Sequence, residues 1–286
     1  MDSQSSKQPG DEDIAEPAGA METSLPSITF SVEAAKALAE APEEPGNLTK
    51  LELTPLGARP IRVPEIMPAW WRLLRTHESV TGLFDTLLLV RRARADENSR
   101  STRGRLHNDA HDILRAAIVF TSAGLDASVQ ALIREAVPTL ITGPGTPRLK
   151  YETFVSEQAR APEVEKEFIQ ALTAQNPADE LRALYIDSKT KASFQGSSDL
   201  KDRAGAALGI ANGQISSRRF KALNTFFTAR NDVAHRLDMV DTAARSRVPV
   251  RRSTRAQREV RDMCDQALLL VRDMINATAD NLAGYR

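Results

Sequence analysis

The amino-acid sequence predicts an all-α protein, and three observations carry that expectation. Beyond residue 69, apolar residues recur three and four apart in one segment after another. Only one short stretch, Leu51-Glu52-Leu53, reads as a candidate strand. No internal repeat points to a solenoid or a propeller. The chain has 286 residues and a mass of 31.4 kDa, 41% hydrophobic and 27% charged. That is enough apolar material for a sizeable core, in one or two domains.

The elements follow in chain order. Residues 1–28 are rich in Ser, Pro, Gly and acidic residues and predict a disordered segment. Ser31 to Ala41 fits a short helix closed off by Pro42 and Pro45. Asn47–Pro68, with Pro55, Pro60, Pro64 and Pro68, reads as extended chain. Trp70–Arg94 carries Leu73, Leu74, Val80, Leu83, Phe84, Leu87 and Leu88 at helical spacing, so residues 47–100 read as an extended segment plus an accessory helix. A helical domain is expected over residues 101–286. Its long first helix, Arg105–Thr139, has Ile113, Leu114, Ala117, Ile118, Leu125, Val129, Leu132 and Ile133 on one stripe. Gly143-Pro144-Gly145 marks a loop, and Tyr151–Gln175 is a weaker helix interrupted at Pro162. Pro177–Asp187 and Ser198–Leu208 are shorter helices, Ser216–Met239 is a strong one, and Ala256–Leu282 closes the chain.

Composition excludes several classes. The longest apolar run, near Ala116–Leu125, is broken by Thr121, Ser122 and Gly124, so no membrane span is expected. The first residues lack a basic region followed by an apolar stretch, so no secretory signal is read there. One cysteine, Cys264, excludes an internal disulfide and any Cys-cluster zinc site. A cytoplasmic protein is the expectation. Net charge is zero, but residues 1–46 form an acidic tail with ten acidic and two basic residues, leaving the body at +8. A basic body suits a polyanionic partner; an acidic tail that merely solubilises the chain accounts for the same numbers.

The stretch that carries chemistry is Arg230-Asn231-Asp232-Val233-Ala234-His235. An arginine separated from a histidine by four to six intervening residues means little by itself, because His77, His107 and His111 pass the same filter behind Arg72, Arg100 and Arg105. Helical geometry separates them. With about 100° per residue, Arg230 falls in the middle of an apolar stripe of Leu223, Phe226, Phe227, Val233, Ala234 and Leu237. An arginine there is rarely buried unless something pairs with it. Asn231 and His235 lie about 100° and 140° round the same helix, spaced i and i+4 so that their side chains can touch. The bland reading is a core arginine held by a buried carboxylate beside a surface histidine.

Arg-Asn-x-x-Ala-His on a helix followed by one more helix resembles the HEPN superfamily, in particular the HEPN domains found beside RiboL-PSP modules. A second match lies upstream, where the run Ala116-Ala117-Ile118-Val119-Phe120-Thr121-Ser122-Ala123-Gly124-Leu125-Asp126-Ala127 resembles that branch's alanine-rich first helix meeting Leu-Asp-Ala. The resemblance spans residues 105–280 or thereabouts. It implies a helical bundle that pairs as a two-fold homodimer. It also implies a metal-independent endoribonuclease, a hydrolase of toxin–antitoxin or defence systems, whose Arg and His sets meet in a cleft between subunits. An antitoxin or regulatory protein is a further implied partner. Other members are inactive and bind nucleic acid or a partner protein, which is the alternative for this chain. A helical scaffold with no nucleic-acid role is the third class.

The residue types suit that chemistry. Cleaving RNA without a metal requires a base at the 2′-hydroxyl, an acid at the leaving 5′-oxygen and positive charge on the phosphorane. One His235 per chain cannot serve both sides of the phosphorus; two copies across an isologous interface can. Arg230 would hold the non-bridging oxygens, and Asn231 would orient the imidazole or donate to phosphate. No cofactor and no metal are called for. Asp126 is a supporting candidate, paired with Arg230 or else facing solvent or bonding the backbone at Gly124. Arg245, Arg247, Arg251, Arg252 and Arg255 cluster just past His235 and either line a groove for the RNA backbone or form a solvated basic loop. Trp70-Trp71 docks onto the bundle or stacks on bases, and His77, His107 and His111 read as surface residues.

Overall fold

The computed structural model describes residues 48–97, 106–239 and 252–284. The expected acidic tail, the helix at Ser31–Ala41, and Arg245, Arg247 and Arg251 lie outside them. Eight α-helices are described: α1 (Met67–Glu97), α2 (Asn108–Leu140), α3 (Thr146–Arg160), α4 (Lys166–Leu172), α5 (Pro177–Thr190), α6 (Ser217–Lys221), α7 (Asn224–Arg236) and α8 (Gln257–Ala283). A 3₁₀ turn at Pro64–Ile66 leads into α1, and a π-helical segment covers Asp199–Gly205. The chain is all-α: no strand occurs among the described residues, and the pairing of Met239 with Arg252 is an isolated bridge.

Helix α2 is the axis of the bundle, packed against α1, α8, α5, α7 and α3. Its buried stripe runs through Leu114, Ala117, Ile118, Leu125, Val129, Leu132, Ile133 and Ala136. The His107 ring caps its start by accepting the Asp109 N–H. By length and composition α2 is apolar enough to cross a membrane, and 56% of that apolar stretch is buried inside the bundle. Helices α1 and α2 approach closely at Gly124, where a methyl group would fall inside the Thr76 side chain. Pro162 separates α3 from α4, as its missing N–H requires.

Leu51-Glu52-Leu53 forms no ladder. Residues 48–63 instead run as an extended strap that buries Leu51, Leu53, Leu56 and Val63 in the same core as α1, α2 and α8. The Asp265 carboxylate of α8 accepts the Thr54 N–H at 2.7 Å and its hydroxyl at 2.8 Å, and His77 of α1 bonds the Thr54 carbonyl at 3.1 Å. Residues 48–97 therefore build the core instead of decorating it. The histidines divide accordingly: His77 holds the strap, His107 caps α2, and His111 is buried rather than on the surface. Trp70 is buried, whereas Trp71 stays half exposed with the Arg59 guanidinium 5.9 Å from its ring centroid.

Candidate functional site

The expected helix over Ser216–Met239 is two helices. The chain turns at Ala222–Leu223, sinking Leu223 into the core, and α7 starts afresh at Asn224. Phe226, Phe227, Ala229 and Val233 form its buried face, while Ala234 and Leu237, expected on that stripe, are exposed. Arg230 is partly buried at the edge of that face. Its Nε donates to Ser122 Oγ of α2 at 3.1 Å, and its Nη1 donates to Asn231 Oδ1 at 2.8 Å. Asn231 is partly buried, and His235 is exposed in the last turn of α7. The three motif residues thus share one helix, with the guanidinium and the amide already joined and the imidazole one turn further on.

Asp126 does not meet Arg230. Its Oδ1 accepts the Phe194 N–H at 2.7 Å and its Oδ2 accepts from Gln130 Nε2 at 2.8 Å, which ties the polar stretch after α5 to α2. Helix α7 crosses α2 at Ser122, one turn short of Asp126, so the hydroxyl is what the guanidinium finds.

The described arginines of the basic run are also committed elsewhere. Arg255 Nη2 donates to Asp238 Oδ1 at 2.8 Å and lies 3.4 Å from Asp232 Oδ2. Arg252 Nη1 donates to Asp112 Oδ1 at 2.8 Å. The Arg255 side chain is 17% exposed, so it does not stand in a wholly solvated basic loop. At one end of the bundle Arg91 of α1 donates to Gln257 of α8 at 2.9 Å. Burial there lowers the Arg91 pKa below its ordinary value. Nearby, the hydrogen bond from Arg94 holds the Asp109 carboxyl below the usual carboxylate range.

The residues that sequence reasoning missed close the far end of α7. Leu237 and Asp238 both take the left-handed conformation, with φ of 51° and 58°, at a cost of about 1–2 kcal/mol for Leu237 and less for Asp238, whose short polar side chain tolerates it. Their N–H groups converge on the Asp232 carbonyl. The Asp238 side chain is 1% exposed and lies between Arg115 Nε, at 3.2 Å, and Arg255. Arg115 also donates to the Ser253 carbonyl at 2.9 Å and to Asp112 at 2.8 Å, while the Ser253 N–H donates to the Asp238 carbonyl at 2.7 Å. One signal for Arg115 was present: like Arg230, it falls among the apolar positions of its helix, between Leu114 and Ala117-Ile118.

Among the described residues, no group of three or more His, Cys, Asp or Glu side chains converges as a metal site would require. Comparison of the chain with protein-family models, curated proteins and solved structures returns no match.

Proposed function

We propose that this protein is a HEPN-like endoribonuclease that works as a homodimer, cleaving RNA by attack of the 2′-hydroxyl on the adjacent phosphate. The observation that carries the reading is the arrangement on α7: Arg230 and Asn231 bonded to each other, with His235 exposed one turn away. Among the described residues no carboxylate pairs with Arg230, which bonds a hydroxyl and an amide. A guanidinium so placed keeps its affinity for a phosphate. On α2, the helix Arg230 meets through Ser122, the apolar residues Val119, Phe120 and Ala123 are exposed. A second copy docked through that exposed face is the proposed source of a second His235, which would supply the base and the acid that one chain lacks.

A second reading, a non-catalytic module that binds nucleic acid or a partner protein, draws support from the neutralised arginines. Arg252 and Arg255 face carboxylates, which leaves less free positive charge near the site than the sequence suggests. The deciding experiment is end-labelled single-stranded RNA with purified protein in EDTA. Cleavage that leaves 2′,3′-cyclic phosphate ends and disappears in His235→Ala supports the enzyme. RNA left intact but retained on the protein, with affinity falling steeply as salt rises, supports the module. Neither cleavage nor binding leaves the scaffold reading.

A further inference from the structure

We infer that Asp238, gripped by Arg115 and Arg255, is a positioning residue for His235; this rests on the reaction proposed above. Three features of the geometry converge on it. First, one nitrogen, Arg255 Nη2, reaches the carboxylates of both Asp232 and Asp238, at 3.4 and 2.8 Å, and His235 lies between those two residues on the last turn of α7. Second, α2 holds the motif from both ends, through Ser122 on Arg230 and Arg115 on Asp238. Third, the backbone at Leu237 and Asp238 is left-handed with no glycine to ease it. Such a conformation survives only where its surroundings over-determine it, and it marks a place where geometry has been fixed at the expense of local stability.

An exposed imidazole on a frayed helix end samples many positions. The same imidazole on a turn whose backbone and carboxylates are held has a fixed point of attachment, so only its two side-chain torsions are left to search for the transferring proton. Asp238 does this without touching the RNA: its side chain is buried, and it acts through the turn that bears His235.

The test compares the full chain with Asp238→Asn, Arg255→Gln and His235→Ala. Asp238→Asn keeps the shape and removes the charge. The expected result is a kcat lower by about 10- to 100-fold, with KM within about twofold of the parent because phosphate contacts are untouched. The His235 ring signal in proton–carbon NMR, assigned by its loss in His235→Ala, is expected to broaden or split. A parental kcat together with a single, unmoved ring signal overturns the inference. Should Asp238→Asn not fold, Arg255→Gln leaves Arg115 on the carboxylate and is read in the same way, with a loss of about threefold or more expected. If the parent chain cleaves no RNA, the proposed reaction falls. The ring signal in the two variants then still decides whether this cluster holds His235, an unchanged signal overturning it.

Discussion

The Arg115 guanidinium and the Asp238 carboxylate, 123 residues apart in the chain, form an ion pair at 3.2 Å in which the carboxylate is 1% exposed. It fastens the end of α7 to the axis of the bundle. A buried carboxylate stripped of one cation loses several kcal/mol unless the other compensates, and here Arg255 stands by. Arg115→Ala and Asp238→Ala are each expected to cost about 3 kcal/mol. The double variant should cost clearly less than their sum, because the two groups interact directly even though each keeps a second partner, Asp238 in Arg255 and Arg115 in Asp112. Urea unfolding of the four chains measures the coupling; additive costs would show that the pair contributes nothing.

Arg230→Ala tests the site from the other end. Because the guanidinium meets a hydroxyl and an amide, its removal strands no buried charge. The loss of stability is expected to stay near 1 kcal/mol, while the proposed cleavage falls by more than about 100-fold. A loss of stability as large as that at Asp238 would mean that a carboxylate does hold this arginine in solution.

How far the sequence could be read depended on which distances set each feature. The axis α2, the last helix and the break at Pro162 follow from local periodicity and from proline's missing donor, so they were visible in advance. The break at Ala222–Leu223 was not, since no glycine or proline marks it and Leu223 turns inward only because the bundle offers it a place. The same holds for the strap over residues 48–63, whose prolines announced extended chain but not its burial. At the site, the stripe argument showed that Arg230 needs a partner. Choosing Ser122 over Asp126 requires the register between two helices, which periodicity on either one does not contain. Asp238 lies past the end of α7, where no pattern reaches.

At Gly124 α2 packs directly against Thr76 of α1. Gly124→Ala is expected to destabilise the bundle by about 1–3 kcal/mol through overpacking, despite alanine's better helix propensity. Thr76→Gly in the same chain should recover most of that loss in a thermal melt. Failure of the rescue would place the strain elsewhere.

The strap makes a truncation series informative. Removing residues 1–28, which the sequence reads as a disordered segment, should leave helical content and melting temperature unchanged. Removing residues 1–62 also takes away Leu51, Leu53 and Leu56 and the Thr54 bonds to Asp265. Each fully buried leucine is worth about 1.5–3 kcal/mol, so that shorter chain is expected to lose cooperative unfolding by circular dichroism. A cooperative melt near the parent temperature would show the strap to be dispensable.

Alkali should weaken the fold through two buried groups. Burial pushes the Tyr185 hydroxyl up to about 12, from 10.0, and the Cys264 thiol up to about 12, from 9.0. For an acid whose pKa is raised by folding, the unfolded chain releases its proton first, so stability falls as pH rises between the two values. The loss should begin near pH 9 with Cys264, steepen near pH 10 when Tyr185 joins, and approach about 1.4 kcal/mol per pH unit for each group. The Tyr185 hydroxyl has no hydrogen-bond partner among the described residues. Tyr185→Phe is therefore expected to match or exceed the parent's stability at pH 7, within about 1 kcal/mol, and to flatten the decline above pH 10. Calorimetric melts of parent and variant from pH 7 to 11 read this directly. A Tyr185→Phe curve parallel to the parent's throughout would mean that the hydroxyl reaches solvent. The same burial should shield Cys264 from thiol reagents until denaturant is added.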